Sequence, residues 1–179
     1  MKFAVIDVDD VILDWTSKFR EFNDIGEERY ALPFYGFTKP EFDQAVTEFN
    51  QSVHFGCLNA TSLIHMCLNR SYHIKFLSSC GDDETTFFFR LNNLKRFIAW
   101  DDDKFSLECL PLHGSKYDFY KRHKDDILFV IDDAWRNCLD SASLGLHTIQ
   151  MIRPARVLEE WEREWYHVGE YHPSIISML

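Results

Sequence analysis

The chain has 179 residues, 46% of them hydrophobic and 16% aromatic, with a net charge of −10. That content excludes a disordered polymer and allows one packed core with a small added subdomain. The acid excess works against a broad nucleic-acid-binding face, and no apolar run reaches the roughly 18 residues of a membrane span. Small molecules are therefore the expected partners, rather than nucleic acid or membrane.

The first predicted element is the strand Phe3-Ala4-Val5-Ile6, four apolar residues in a row, as in a parallel-sheet strand buried on both faces. It runs into Asp7-Val8-Asp9-Asp10, where continued burial would be costly unless the chain opens into a polar site. Asp7 and Asp9 are two residues apart, so in an extended turn both carboxylates can point to one side. Their repulsion calls for a proton, a lysine or a hard divalent cation, of which Mg²⁺ is the commonest. A second reading stands beside this one: the acids cap a helix running from Leu13 to Phe22.

Trp15, Phe19 and Phe22 recur at helical spacing from Asp14 to about Asn23. Gly26, Pro33, Gly36 and Pro40 then punctuate an aromatic stretch holding Tyr30, Phe34, Tyr35 and Phe37. A helix is expected from Pro40, with Pro40 in its first turn, and another over Thr61 to Asn69. Residues 14–70 show no strand-like alternation, so they read as a helical insertion over the acidic edge. Its rings serve either as core or as a flat slot for a base or sugar, with Phe34 and Tyr35 the substrate-facing candidates.

Strands are expected at Tyr72–Leu77, Phe105–Leu110, Ile127–Ile131 and His147–Ile152, with helices from about Asp83 to Ala99, after Lys116, and from Trp135 to Ala142. The first of these strands ends in Ser78-Ser79, whose hydroxyls suit an anion or simply cap the next helix. Lys116 stands near a helix start, where the dipole disfavours a cation and a nearby anion would explain it. Ile127–Ile131 ends in Asp132-Asp133, a second pair of carboxylates at a strand's C-terminal edge, which is where open α/β sheets bind ligands. The tail 154–179 alternates charges with aromatics, as in a helix packed on the sheet or on another copy in a homo-oligomer. Five scattered cysteines and eight dispersed histidines show neither a disulfide framework nor a zinc spacing. With no secretory signal at the amino terminus, a cytoplasmic location is expected.

Taken together, Asp7-Val8-Asp9-Asp10-Val11, the strand-end Ser78, Lys116 before a helix and the pair Asp132-Asp133 resemble the four motifs of the haloacid dehalogenase-like phosphohydrolases, in order. The resemblance implies a Rossmann-like α/β three-layer sandwich with a parallel sheet. Its core would be residues 1–13 and 71–153, with 14–70 as a small helical C1 cap and 154–179 as a tail. It also implies an aspartyl-phosphate on Asp7, acid/base work by Asp9, and phosphoryl oxygens held by Ser78 and Lys116. Mg²⁺ would be bound by Asp7, Asp132 and the Asp9 carbonyl, with Asp133 supporting its water shell. A small helical cap, Asp-x-Asp-x-Val and the paired Ser78-Ser79 resemble the 5′(3′)-deoxyribonucleotidase branch, which implies a nucleoside monophosphate substrate. Sugar phosphates, proteins, nucleic-acid 3′ ends and an idle binding module are the alternatives. Asp10 departs from the glycine found in many members.

Overall fold

Strand β1, Phe3–Asp7, is buried along its whole length, as its unbroken apolar sequence requires. The computed structural model describes residues 2–30, 32–52, 56–57 and 61–151, so the tail expected over 154–179 lies outside the described residues. β1 is flanked on both sides by parallel partners, β4 (His73–Ser78) and β6 (Ile127–Asp132). β5 (Phe105–Cys109) extends the sheet beyond β4, and β7 (Thr148–Gln150) extends it beyond β6. The order is β5-β4-β1-β6-β7, all parallel. After β5 the chain returns across β1 to form β6, so the topological switch falls between β1 and β6, where such sheets open a crevice at their C-terminal edge.

Strand alternation divides the core in two. Phe3, Val5, Leu77 and Val130 pack with Phe119 and Tyr120 of α5 (Tyr117–His123). Ile6, Ile74, Phe76 and Ile131 belong to the other cluster. Helices α4 (Glu84–Phe97) and α6 (Trp135–Ser143) complete the strand and helix series.

The insertion contains α1 (Trp15–Phe22), α2 (Lys39–Asn50) and α3 (Thr61–Asn69), with short 3₁₀ turns at Glu27–Arg29 and Pro33–Gly36. Thr38 and Glu41 close a reciprocal capping box on α2, and Pro40 lies in its first turn, where no backbone donor is lost. One feature departs from the strandless expectation: β2 (Leu13–Asp14) pairs antiparallel with β3 (Gly56–Cys57), joining the start of the segment to the stretch before α3. Two-residue strands are too short to show alternation. Phe19 and Phe49 are wholly buried and share a cluster with Ile6, Phe76 and Ile131, so this segment's core is continuous with one face of the sheet.

Candidate active site

Asp7 closes β1 and is 5% exposed. Lys116, at the start of α5, is 2% exposed and donates to Asp7 Oδ1 at 2.6 Å and to Asp132 Oδ2 at 2.7 Å. The anion that the sequence asked for beside Lys116 is thus present as two carboxylates of the chain itself. Asp132 closes β6; its Oδ1 accepts the Ala134 N–H at 2.9 Å, and Asn137 Nδ2 lies 3.1 and 3.2 Å from its two oxygens. The turn after it is fixed by Gln150 Nε2, which donates to the Asp133 carbonyl at 3.2 Å.

Burial pushes the Asp7 carboxyl well above its ordinary range; Lys116 opposes this, while Asp132, Asp133 and Asp9 add repulsion. Burial acts against the Lys116 charge too, but Asp132 and Asp7 outweigh it and hold the ammonium protonated. Lys116 thus pairs directly with two of these acids, Asp7 and Asp132. Asp7, Asp132 and Asp133 are all buried, and each offers an oxygen within 4.8 Å of the others. Hard oxygen donors gathered this closely fit a divalent cation such as Mg²⁺.

The Asp9 carboxylate is engaged elsewhere. Ser78 Oγ donates to its Oδ2 at 2.9 Å, and Arg90 Nη1 of α4 donates to its Oδ1 at 2.5 Å. Asp10 takes a third direction: its carboxylate accepts from the Thr16 N–H at 2.8 Å and from the Thr16 hydroxyl, capping the first turn of α1. Its φ of +56° lies in the left-handed region that glycine enters at no cost and aspartate tolerates, so the departure from glycine keeps the turn. The acid run is thus divided by residue: Asp7 meets Lys116, Asp9 meets Ser78 and Arg90, and Asp10 caps a helix.

Ser79 donates to the Gly114 carbonyl at 2.9 Å, tying the end of β4 to the loop that carries Lys116. That loop is tight, since a side chain at Gly114 would meet the Pro111 carbonyl oxygen at 2.8 Å. Phe34 and Tyr35 are not joined to the acidic residues by the ring contacts of the described residues; Phe34 packs on Phe42, and Tyr35 on Phe19 and Phe42. Sequence reasoning missed Asn137, one helical turn past the Asp132-Asp133 pair, and the buried set Arg90 and Asn50. The available signal was polar: Thr86, Arg90 and Asn93 fall on one stripe of α4 within a phenylalanine-rich run, and that stripe is the buried one.

The sequence matches no family model and no curated protein. Solved structures do resemble it. CbbY from Rhodobacter sphaeroides, solved with phosphate, is 14% identical with a TM-score of 0.59, covering 89% of this chain and 90% of its own. A haloacid dehalogenase-like hydrolase of Streptococcus pneumoniae is 11% identical with a TM-score of 0.55, covering 93% and 90%. A HAD-family enzyme of Bacteroides thetaiotaomicron, solved with magnesium, is 18% identical with a TM-score of 0.51, covering 92% and 98%. The protein has the Rossmann-like α/β fold of the haloacid dehalogenase-like hydrolases.

Proposed function

We propose that the chain is a Mg²⁺-dependent phosphomonoesterase acting on a small phosphorylated metabolite through Asp7. The observation that carries this reading is the convergence of Asp7, Lys116, Asp132 and Asp133 at the switch point, with Asp9 two residues after Asp7 and its carboxylate accepting from Ser78. The like-folded Bacteroides and Rhodobacter proteins were solved with magnesium and with phosphate, which supports the same chemistry here.

In the first displacement an Asp7 oxygen bonds to phosphorus as the bond to the leaving oxygen breaks, and a proton passes from Asp9 to that oxygen. In the second, Asp9 takes a proton from water, whose oxygen bonds to phosphorus and frees Asp7 and inorganic phosphate. Lys116 keeps the Asp7 carboxylate oriented and, with Ser78, would hold phosphoryl oxygens. Mg²⁺, held by Asp7 and Asp132 with the Asp9 carbonyl and with Asp133 alongside, would neutralise charge on the phosphoryl group. Residues 1–13 and 71–153 act as the catalytic core, and 14–70 as a cap whose rings, Phe34 and Tyr35 among them, meet the leaving group. That aromatic cap makes nucleoside monophosphates, ribo and deoxyribo, the first substrate class.

A phosphomonoester panel with Mg²⁺ or chelator tests the proposal. Phosphate release should require Mg²⁺ and vanish in Asp7→Asn, whose amide is a poor nucleophile in a side chain of the same shape. Release that persists in chelator, or in a folded Asp7→Asn protein, contradicts it.

A further inference from the structure

The reactions just described use no guanidinium, yet Arg90 is completely buried, and removing such a charge from water costs several kcal/mol unless partners return it. Packing α4 on the sheet would need only an apolar side chain at that position. Its partners are specific instead. Nη1 meets Asp9 Oδ1, and Nη2 donates to Asn50 Oδ1 at 2.9 Å. Asn50, itself 1% exposed, is oriented by two further bonds: Trp15 Nε1 donates to the same oxygen at 2.8 Å, and its own amide donates to the Cys80 carbonyl at 2.9 Å. The chain therefore runs from the inserted helices α1 and α2, through a fixed carboxamide, to a buried guanidinium and then to Asp9. At Asp9 it ends on a side chain that is 26% exposed, the one member of the ion pair that reaches solvent.

We propose that Arg90 is a positioning residue: aligned by Asn50, it fixes the plane of the Asp9 carboxylate so that Oδ2 is the oxygen that exchanges the proton. The inference rests on the phosphomonoesterase reading. With Oδ1 held by Arg90, Oδ2 accepts from the Ser78 hydroxyl, and a hydroxyl can rotate toward a phosphoryl oxygen. A proton on Oδ2 passes to the leaving oxygen as the phosphorus–oxygen bond breaks, and a proton from water returns to Oδ2 in the second displacement. Arg90 keeps all its protons throughout. A planar fork spanning two partners is a geometry lysine cannot reproduce.

The test is leaving-group dependence. An alkyl phosphate leaves as a strongly basic oxygen and needs proton transfer, whereas p-nitrophenyl phosphate leaves with little help. In Arg90→Met, kcat on the alkyl phosphate should fall by about 10²-fold, on the scale of losing a general acid. The loss on p-nitrophenyl phosphate should be only about threefold, with KM little changed. Arg90→Lys should recover part of the difference and serves in place of Arg90→Met should the latter not fold. In an Asp9→Asn background either substitution should cost little more, because Arg90 acts through Asp9. Equal losses on both substrates, or the same loss again in the Asp9→Asn background, would overturn the proposal while leaving the phosphohydrolase reading intact. A wild-type protein that releases phosphate from neither compound strikes down that reading and the proposal together.

Discussion

Burying an ammonium group is costly, so the position of Lys116 is set by the two carboxylates it meets rather than by helix α5, whose amino end disfavours a cation. Removing one member of such a buried set leaves the others uncompensated. Lys116→Met should therefore lower stability by about 3–5 kcal/mol in chelator, as for a broken buried pair. Mg²⁺ should restore part of that, because a cation among Asp7, Asp132 and Asp133 relieves the same repulsion. Denaturant melts with and without Mg²⁺ check this, and a loss under about 1 kcal/mol with no Mg²⁺ effect would contradict the electrostatic account. The residues behind this account differ in how visible they were in the sequence. Asp7, Asp132 and Asp133 stood out because each is a carboxylate at the end of an apolar run, where only a helix cap or a polar site gives it a place. Arg90 did not, because its partner is 81 residues away and no local pattern connects them.

Helix α4 shows the limit of periodicity at the scale of one element. Its phenylalanines would be expected inside, yet Phe88 is 60% exposed and Phe87 39%, while Thr86, Arg90 and Asn93 are buried. The inversion follows from what the helix faces: Asp9, the inserted helix end at Asn50 to Ser52, and its own cap. Strands β1 and β6 were legible as continuous apolar runs and β4 as one broken by Lys75, whereas a polar interface carries no such mark. At the start of α4, Asp83 accepts from the Thr86 N–H at 2.9 Å and from its hydroxyl at 2.7 Å. These bonds, the hydroxyl's first, hold the Asp83 carboxyl below its ordinary value of 3.8. A carboxyl whose value is lowered in the folded state stabilises the fold above its unfolded value, and that contribution is lost as pH falls through the folded one. Asp83→Ala should thus cost about 1 kcal/mol near pH 7, as for a lost N-cap. The gap to wild type should narrow below pH 3.8, so a gap that widens there would contradict the capping role.

For the whole molecule, the candidate cation site, Asp7, Asp132 and Asp133, lies at the ends of β1 and β6, the two strands on either side of the switch point. An ion bound there holds the sheet's halves together and favours the native state over the unfolded one. Saturation at about 100 times the dissociation constant should add about 2.7 kcal/mol. The melting temperature should rise with Mg²⁺, and the rise should disappear in Asp132→Asn. A flat melting temperature across millimolar Mg²⁺ would remove the ion from the fold's stability. Among the described residues no helix is long and apolar enough to cross a membrane. The helices of residues 14–70 were legible, but their sharing of one hydrophobic cluster with the sheet was not, because composition does not show which rings meet across the fold.

The central place of β1 bears on how the chain is made. Phe3 lies beside His73 on one side and Ile127 on the other, so β1 precedes both of its partner strands in the chain and waits for β6 before its backbone is paired on both edges. Pairing over such separations is slow, and an apolar strand with open edges invites association with other chains in the meantime. Until β6 arrives, Asp7 also has neither Asp132 nor Asp133 beside it, so the acidic centre is completed only when the sheet closes.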